Sequence, residues 1–530
     1  MKRWNGWGEI NTVYPLPPTA GIFLEERIGR CVTPGDVTLE ESVKKVPPSR
    51  LPDHPLVSRD PENRLRHSAG QSLGDWIRLR SGTVATYPDG VACPETSEDV
   101  REVLKYAENT GARVIPYGGG TSVVGHLSAP SGDRPVVTVD MGRMNRLVRM
   151  DGKGCLATFQ AGVRGPDLEA ALRAEGYTLG HFPQSFEYST LGGWVATRSA
   201  GQFSLGYGRI ERLFAGGSVE TPVGRLDLPV FPASAAGPDL KEVVMGSEGR
   251  LGIITDAAVK ISPLPGEEIF NAAFFPDTEQ GIASVREMAR ASLPLTMIRL
   301  SLPEETTTNL TLAGHSRALE LLRRWLAFKG VGEGKCMLIY GAVGSRKKVR
   351  WALNQAVEII KAHRGAPVGA RPGREWMKNR FRAPYLRNTL WERGYAVDTL
   401  ETALTWKHLP GAVQSIEAAL KNGLSEIGEK VFVFTHLSHV YLHGSSIYVT
   451  YLYRVAPDPA ETLRRWRVLK GAASEAIVRS KGTISHQHGV GEDHLPYLKA
   501  EKGDLGMKII GGLCSALDPG GMMNPGKLTR

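Results

Sequence analysis

Apolar positions recur three and four apart at Val100, Val103, Leu104 and Ala107, which predicts a helix with one buried stripe after Pro94. Thr96 or Ser97 can cap it, and Glu98 and Asp99 place negative charge in its first turn. On either side the pattern is that of strands: Gly90–Ala92 before it, then Ala112–Ile115, Val136–Met141 and Ala157–Ala161 after it. Gly162–Glu175 returns to the helical period. Residues 317–328 and 348–363 read as amphipathic helices whose Leu and Ile stripes predict core. Val431–Phe434 and Ser446–Tyr453 are β-branched and aromatic and predict strands. The first 85 residues differ. Pro15, Pro17, Pro18, Pro47, Pro48, Pro52 and Pro55 break any long helix, so an extended arm with one or two short helices is expected, anchored by Trp4 and Trp7.

With 530 residues, 41 % of them apolar, the chain can bury one large or several ordinary cores. Its net charge of +10 is scattered, apart from a cluster at Arg371–Arg393. A scattered excess is a solvated face, and it argues against nucleic acid and leaves anionic small molecules. Five cysteines stand far apart without a C-x-x-C pair, which fits a reducing compartment and neither a disulfide framework nor a zinc ribbon. The N-terminus lacks the apolar segment of a signal peptide, and no run of eighteen apolar residues occurs. A cytoplasmic protein is expected, with peripheral membrane contact allowed.

Three turns carry the candidate chemistry. The first is Pro116, Tyr117, Gly118, Gly119, Gly120, Thr121 and Ser122, directly after a predicted strand. Consecutive glycines let backbone N–H groups close on an anion, and the two hydroxyls add donors, so a diphosphate fits. It is neither G-x-G-x-x-G nor a P-loop. The second runs through Gln184, Ser185, Phe186, Glu187, Tyr188, Ser189 and Thr190 to Thr197, Arg198, Ser199 and Ala200. The third is Glu248, Gly249, Arg250, Leu251, Gly252, Ile253 and Ile254. Their order and spacing predict one large ligand threaded between them.

These segments resemble the FAD-binding domain of the vanillyl-alcohol oxidase / p-cresol methylhydroxylase superfamily, and within it the alkyldihydroxyacetonephosphate synthases, over about residues 85–530. The resemblance implies an α+β fold. An N-terminal arm (1–84) precedes a two-subdomain FAD-binding domain (85–265), a cap with an antiparallel sheet and flanking helices (266–440), and a C-terminal segment completing cap and active site (441–530). FAD would be bound non-covalently, because Thr121 stands where related flavoproteins attach the ring through His. Arg387, beside Lys378, Arg380 and Arg382, would take the substrate phosphate. Tyr448 would be the catalytic acid/base, with His486 and His488 as proton carriers. Gln487, at a family histidine, would contact substrate. The implied reaction exchanges the acyl group of acyl-dihydroxyacetone phosphate for a fatty alcohol on the flavin, with an anionic or lipid-phosphate substrate and a homodimeric enzyme. The alternative from the same residues is a flavin-linked oxidoreductase of a 2-hydroxy acid or glycerol phosphate, with His488 as base. A basic binding protein without catalysis is the third reading. His436, His439 and His443, expected in a loop, leave a metal site open, though none is assigned.

Overall fold

The computed structural model describes residues 1–314 and 317–529. The first expected helix spans Ser97–Asn109. The Thr96 side chain accepts the Asp99 N–H while Asp99 accepts that of Thr96, which satisfies backbone donors the helix itself leaves open. Its stripe covers a four-stranded sheet of order Val57–Ser58, Gly90–Ala92, Val136–Asp140, Arg113–Tyr117. The last three strands run parallel; the helix Ser97–Asn109 crosses from Gly90–Ala92 to Arg113–Tyr117, and an irregular segment that begins with the glycine turn leads on to Val136–Asp140. The chain's tail covers the outer edge: the Val114 N–H donates to the Met522 carbonyl at 2.9 Å, and the Asn524 N–H to the Val114 carbonyl at 2.8 Å.

The second subdomain is a five-stranded antiparallel sheet, with Leu147–Asp151, Leu156–Gln160, Ile253–Lys260, Phe214–Thr221 and Gly224–Leu228 in spatial order. Helices Gly165–Ala174 and Leu191–Thr197 bury Leu168, Leu172, Leu191 and Trp194 in its core.

A seven-stranded antiparallel sheet forms the cap, in the order Ala366–Gly369, Glu267–Phe275, Cys336–Gly344, Met297–Ser301, Phe432–Tyr441, Gly444–Arg454, Tyr395–Thr405. Helices Thr278–Arg290, Arg346–Ala362, Leu409–Asn422 and Pro459–Arg479 share one core with it, built from Val285, Ile360, Ile416, Leu437, Val449 and Leu469. The hairpin Phe432–Tyr441/Gly444–Arg454 straddles position 440. A boundary there would cut a paired ladder, so the cap sheet continues through 454.

Two further expectations change. The N-terminal 84 residues carry four short helices rather than one or two, Pro18–Ile28, Leu39–Val43, Pro61–Arg66 and Leu73–Ser81. Pro18 and Pro61 stand in first turns, where a missing N–H costs nothing, and Leu73–Ser81 lies beyond the last proline. Trp76 on that helix is 1 % exposed. Trp7 anchors the segment, its N–H donating to Asn388 Oδ1 at 3.1 Å. His436 and His439 lie on the strand Phe432–Tyr441, not in a loop; His439, at φ 47°, forms the irregularity between Ser438 and Val440.

The tail's closure generates a prediction. Asp518 accepts the Met522 N–H at 2.9 Å and the Met523 N–H at 2.8 Å, and lies 3.6 Å from buried Arg250. Asp518→Ala leaves that guanidinium uncompensated at a cost of about 3–5 kcal/mol. The apparent melting temperature at fixed scan rate should fall by several degrees; an unchanged melt would mean that the tail does not close the first sheet.

Candidate functional site

One cavity of about 1290 Å³ runs between the FAD-binding domain and the cap. Pro116, Tyr117, Gly118, Gly119, Gly120, Thr121 and Ser122 line one end, with Gln184, Ser185, Ser189, Thr190, Thr197, Ser199, Ala200, Glu248, Gly249, Gly252, Ile253 and Ile254. The glycines are demanded by close packing. A Cβ at Gly119 would sit 1.8 Å from the Tyr188 carbonyl oxygen, and one at Gly118 would sit 2.4 Å from Thr190 Oγ1. Six residues of the same turns do not line the cavity. Phe186 stacks on Phe381 at 5.3 Å. The Tyr188 hydroxyl is 3.2 Å from that of Tyr385, and Glu187 lies beside the same pair. Arg198 pairs with Glu211 and Glu242. Arg250 turns to Asp518 and the Met523 carbonyl, and Leu251 is buried. The motif alternates inward and outward, which a contiguous reading could not separate. Gly192 and Gly193 of the second turn line the cavity too, and His126, Gln202 and Asn524 do so without having been expected there.

Glu248 is as much a clamp as a wall. Its carboxylate accepts the N–H groups of Val490 and Gly491 and lies 3.0 Å from His126 Nε2, while the Asn524 amide donates to its carbonyl at 2.7 Å. This ties the glycine turn, the segment after His488 and the tail to one carboxylate.

The reactive end is built by strand register. Ser301 pairs with His436, His436 with Tyr448, and Tyr448 with Glu401, so four side chains cross one sheet face in a row. Buried Glu401 accepts the backbone N–H groups of His486 at 2.6 Å, Gln487 at 3.0 Å and His488 at 2.9 Å, and the Ser485 hydroxyl at 2.9 Å. Burial alone would raise its pKa; the neighbouring histidines and these donors outweigh that and hold it at about 2. The gripped loop sets the His488 ring edge-on to Tyr448, centroids 5.7 Å apart. The Tyr448 ring stacks on His436 at 4.9 Å on the other side. Burial pushes the Tyr448 phenol up to about 12.

His486 departs from expectation. It does not line the cavity: its Nε2 lies 2.6 Å from the Tyr441 hydroxyl, and Arg209 donates to its carbonyl at 2.8 Å. Burial lowers its pKa to about 3, so it is a neutral support behind the site. Gln487 lines the cavity with its Oε1 unpaired. His439 faces His486 at 5.0 Å between centroids, and His443 sits in the exposed hairpin turn. Among the described residues no group of three or more ligands could hold a metal ion.

Of the four clustered cations, Arg380, Arg382 and Arg387 line the cavity and Lys378 does not. Arg387 packs over Trp76 at 4.3 Å and donates from Nη1 to the Gln71 carbonyl at 2.8 Å; its buried Nη2 has no partner. Burial brings its pKa down to about 10, which leaves it charged at neutral pH. An unpaired guanidinium nitrogen in a cavity wall is matched to an anionic oxygen.

Two further rows continue that sheet face away from Tyr448. The first is Phe434, Thr450 and Thr399, and the second is Phe432, Leu452 and Val397. All six line the cavity. Polarity therefore falls along the face, from imidazole and phenol through hydroxyls to aliphatic and aromatic carbon. Leu310, Leu312 and Leu322 extend the apolar end.

Residues 88–226 match the family described as FAD binding domain, and residues 264–528 match FAD linked oxidases, C-terminal domain. The chain is 30 % identical to alkyldihydroxyacetonephosphate synthase of Trypanosoma brucei brucei, over 99 % of this chain and 92 % of the relative. It is 29 % identical to the synthase of that name from Dictyostelium discoideum, over 99 % and 93 %. A solved structure of an alkyldihydroxyacetonephosphate synthase superposes with TM-score 0.84 at 26 % identity, over 99 % of this chain and 98 % of that one. The chain belongs to the alkyldihydroxyacetonephosphate synthase family of FAD-linked oxidases. It is an FAD-dependent enzyme. The residues fit the cofactor: Gly118–Gly120, Gly192 and Gly193 offer a cradle without side chains, and the hydroxyls of Thr121, Ser122, Ser189, Thr190 and Ser199 with the unpaired Asn524 Oδ1 offer polar partners.

Gly119→Asp should abolish flavin binding, because its Cβ has no room beside Tyr188 and its charge opposes a diphosphate. Absorbance of the purified variant checks this; a yellow, fully loaded protein would remove the turn from the phosphate site.

Proposed function

We propose that this enzyme exchanges the acyl group of acyl-dihydroxyacetone phosphate for a fatty alcohol. The observation that carries the reading is the polarity gradient of the cap sheet, continuous with Arg387, whose Nη2 has no partner, at one end and an apolar arm at the other. Such a wall orients an amphiphile, head toward Arg387 and tail toward Phe432. A small 2-hydroxy acid would leave the arm without a role. FAD, when bound, supplies the ring at which the exchanged carbon is held.

The residues divide the remaining tasks. Arg387 binds the phosphate through Nη2. Tyr448, protonated at neutral pH, donates its proton to the departing oxygen. His488 remains neutral, because burial outweighs the attraction of Glu401, and stands edge-on to the phenol, which it orients. The apolar arm excludes water from the reacting end.

Contact with a membrane fits the same reading. On the helix Arg317–Phe328, Leu322 faces the cavity while Leu321, Trp325 and Phe328 are 65, 39 and 84 % exposed on the outside, beside Arg323, Arg324 and Lys329. An apolar ridge within a cationic fringe suits an anionic lipid surface. Co-sedimentation with anionic vesicles should weaken severalfold in Phe328→Ser; equal binding by both proteins would refute this contact.

The function is tested by mass spectrometry of the ether product from acyl-dihydroxyacetone phosphate and hexadecanol. Tyr448→Phe should lower turnover roughly 10²–10⁴-fold with flavin content intact. Arg387→Lys should lower it roughly ten- to a hundredfold. Absence of ether product, together with anaerobic flavin bleaching by a 2-hydroxy acid, would overturn the reading in favour of a dehydrogenase.

A further inference from the structure

We propose that His436, oriented by Glu305, is the base that takes the hydroxyl proton of the incoming alcohol. The inference rests on the exchange reaction proposed above and assigns one of its steps.

Arg299, Glu305 and His436 form a chain in the cavity wall, with Glu305 and His436 buried and Arg299 half-buried. Arg299 Nη2 donates to Glu305 Oε1 at 2.6 Å, the Ser301 hydroxyl donates to the same oxygen at 3.1 Å, and Glu305 Oε2 lies 2.8 Å from His436 Nδ1. Burial would raise the pKa of Glu305, but His436 and Arg299 hold it well below the carboxylate range. An ionised carboxylate only accepts, so Nδ1 carries the hydrogen and the lone pair lies on Nε2. Arg299 Nη2 also lies 3.2 Å from Nδ1, but it is the more distant of the two groups there and is already bonded to Glu305, so the closer carboxylate sets the tautomer. Burial, with that guanidinium, keeps the imidazole uncharged against the pull of Glu305. Nε2 has no hydrogen-bond partner among the described residues. A carboxylate-oriented neutral imidazole with a free lone pair in a cavity is a general base in waiting.

Its place decides which proton it takes. His436 and His488 flank Tyr448 on opposite sides. His488 lies on the side of Glu401. His436 lies beside Met297–Ser301 and the helix Pro303–Leu312, which carries Glu305 and leads through Leu310 and Leu312 into the apolar arm. On its own strand the next residue of the same face is Phe434. A chain whose tail fills the arm brings its hydroxyl to Nε2. The alcohol O–H bond breaks and the proton passes to Nε2. The oxygen's electron pair forms the ether C–O bond at the carbon from which the carboxylate has left with the pair of its own C–O bond. The proton then returns to the Tyr448 phenolate, stacked on the His436 ring, whose own proton has left with the fatty acid. No electrons are gained or lost overall.

The holoenzyme is assayed in two ways: incorporation of isotope-labelled palmitate into acyl-dihydroxyacetone phosphate, which needs no alcohol, and ether formation with hexadecanol. His436→Asn keeps a donor toward Glu305 and removes the base. Ether formation should fall roughly 10²–10⁴-fold while palmitate incorporation stays within about tenfold. Glu305→Gln, which leaves the tautomer unfixed, should slow the same step about tenfold and serves alone if the first variant does not retain flavin. Equal losses in both assays, or undiminished ether formation, would overturn the assignment. If the unmutated enzyme incorporates palmitate but makes no ether with any alcohol, the exchange reading itself falls, and this step with it.

Discussion

The buried carboxylate of Glu401 is the constraint on which the reactive centre depends. A desolvated charge inside a protein costs several kcal/mol unless donors surround it. Here one hydroxyl and three consecutive backbone N–H groups do so, all from residues 485–488. The interaction fixes a backbone path, so the loop has one conformation, and that conformation sets His488 against Tyr448. Glu248 holds the next residues, Val490 and Gly491, from the cofactor side. The segment is thus stretched between two carboxylates, one on each domain. The facing surfaces of the cavity are registered to each other through charge as much as through packing.

The cap sheet performs a second task with no residue dedicated to it. Antiparallel pairing places side chains in rows, and every second residue of a strand faces the same side. Three successive rows fall from polar to apolar, and this makes a direction. An amphiphile laid on such a surface has one favourable orientation. Arg387 and the chain Arg299–Glu305–His436 then lie where its polar end must come.

Much of this was legible in the sequence. The helix Ser97–Asn109 followed from its stripe and cap, and Arg317–Phe328 coincides with the expected range. The three turns were recognised because glycine and hydroxyl chemistry is local. What could not be read depends on pairing across long separations. Glu305 and His436 stand 131 positions apart, and Glu401 and His486 stand 85 apart. No spacing rule connects such residues; only the order of strands in a sheet does. For the same reason His486 looked equivalent to His488 although it turns away, and His436 looked like one member of a possible metal set. Two of the N-terminal helices, Pro18–Ile28 and Pro61–Arg66, were hidden by prolines that open them rather than break them.

The closing of the first sheet by residues 522–524 bears on how the molecule is made. Synthesis proceeds from the N-terminus, and domains generally fold as they emerge. The strand Arg113–Tyr117, which leads into the glycine turn, must wait for more than four hundred further residues before its free edge is covered. Until then it presents unpaired backbone groups beside an unfinished cradle. The flavin cradle and the cap are thereby made one unit of assembly, because the segment that closes the first lies beyond the whole of the second.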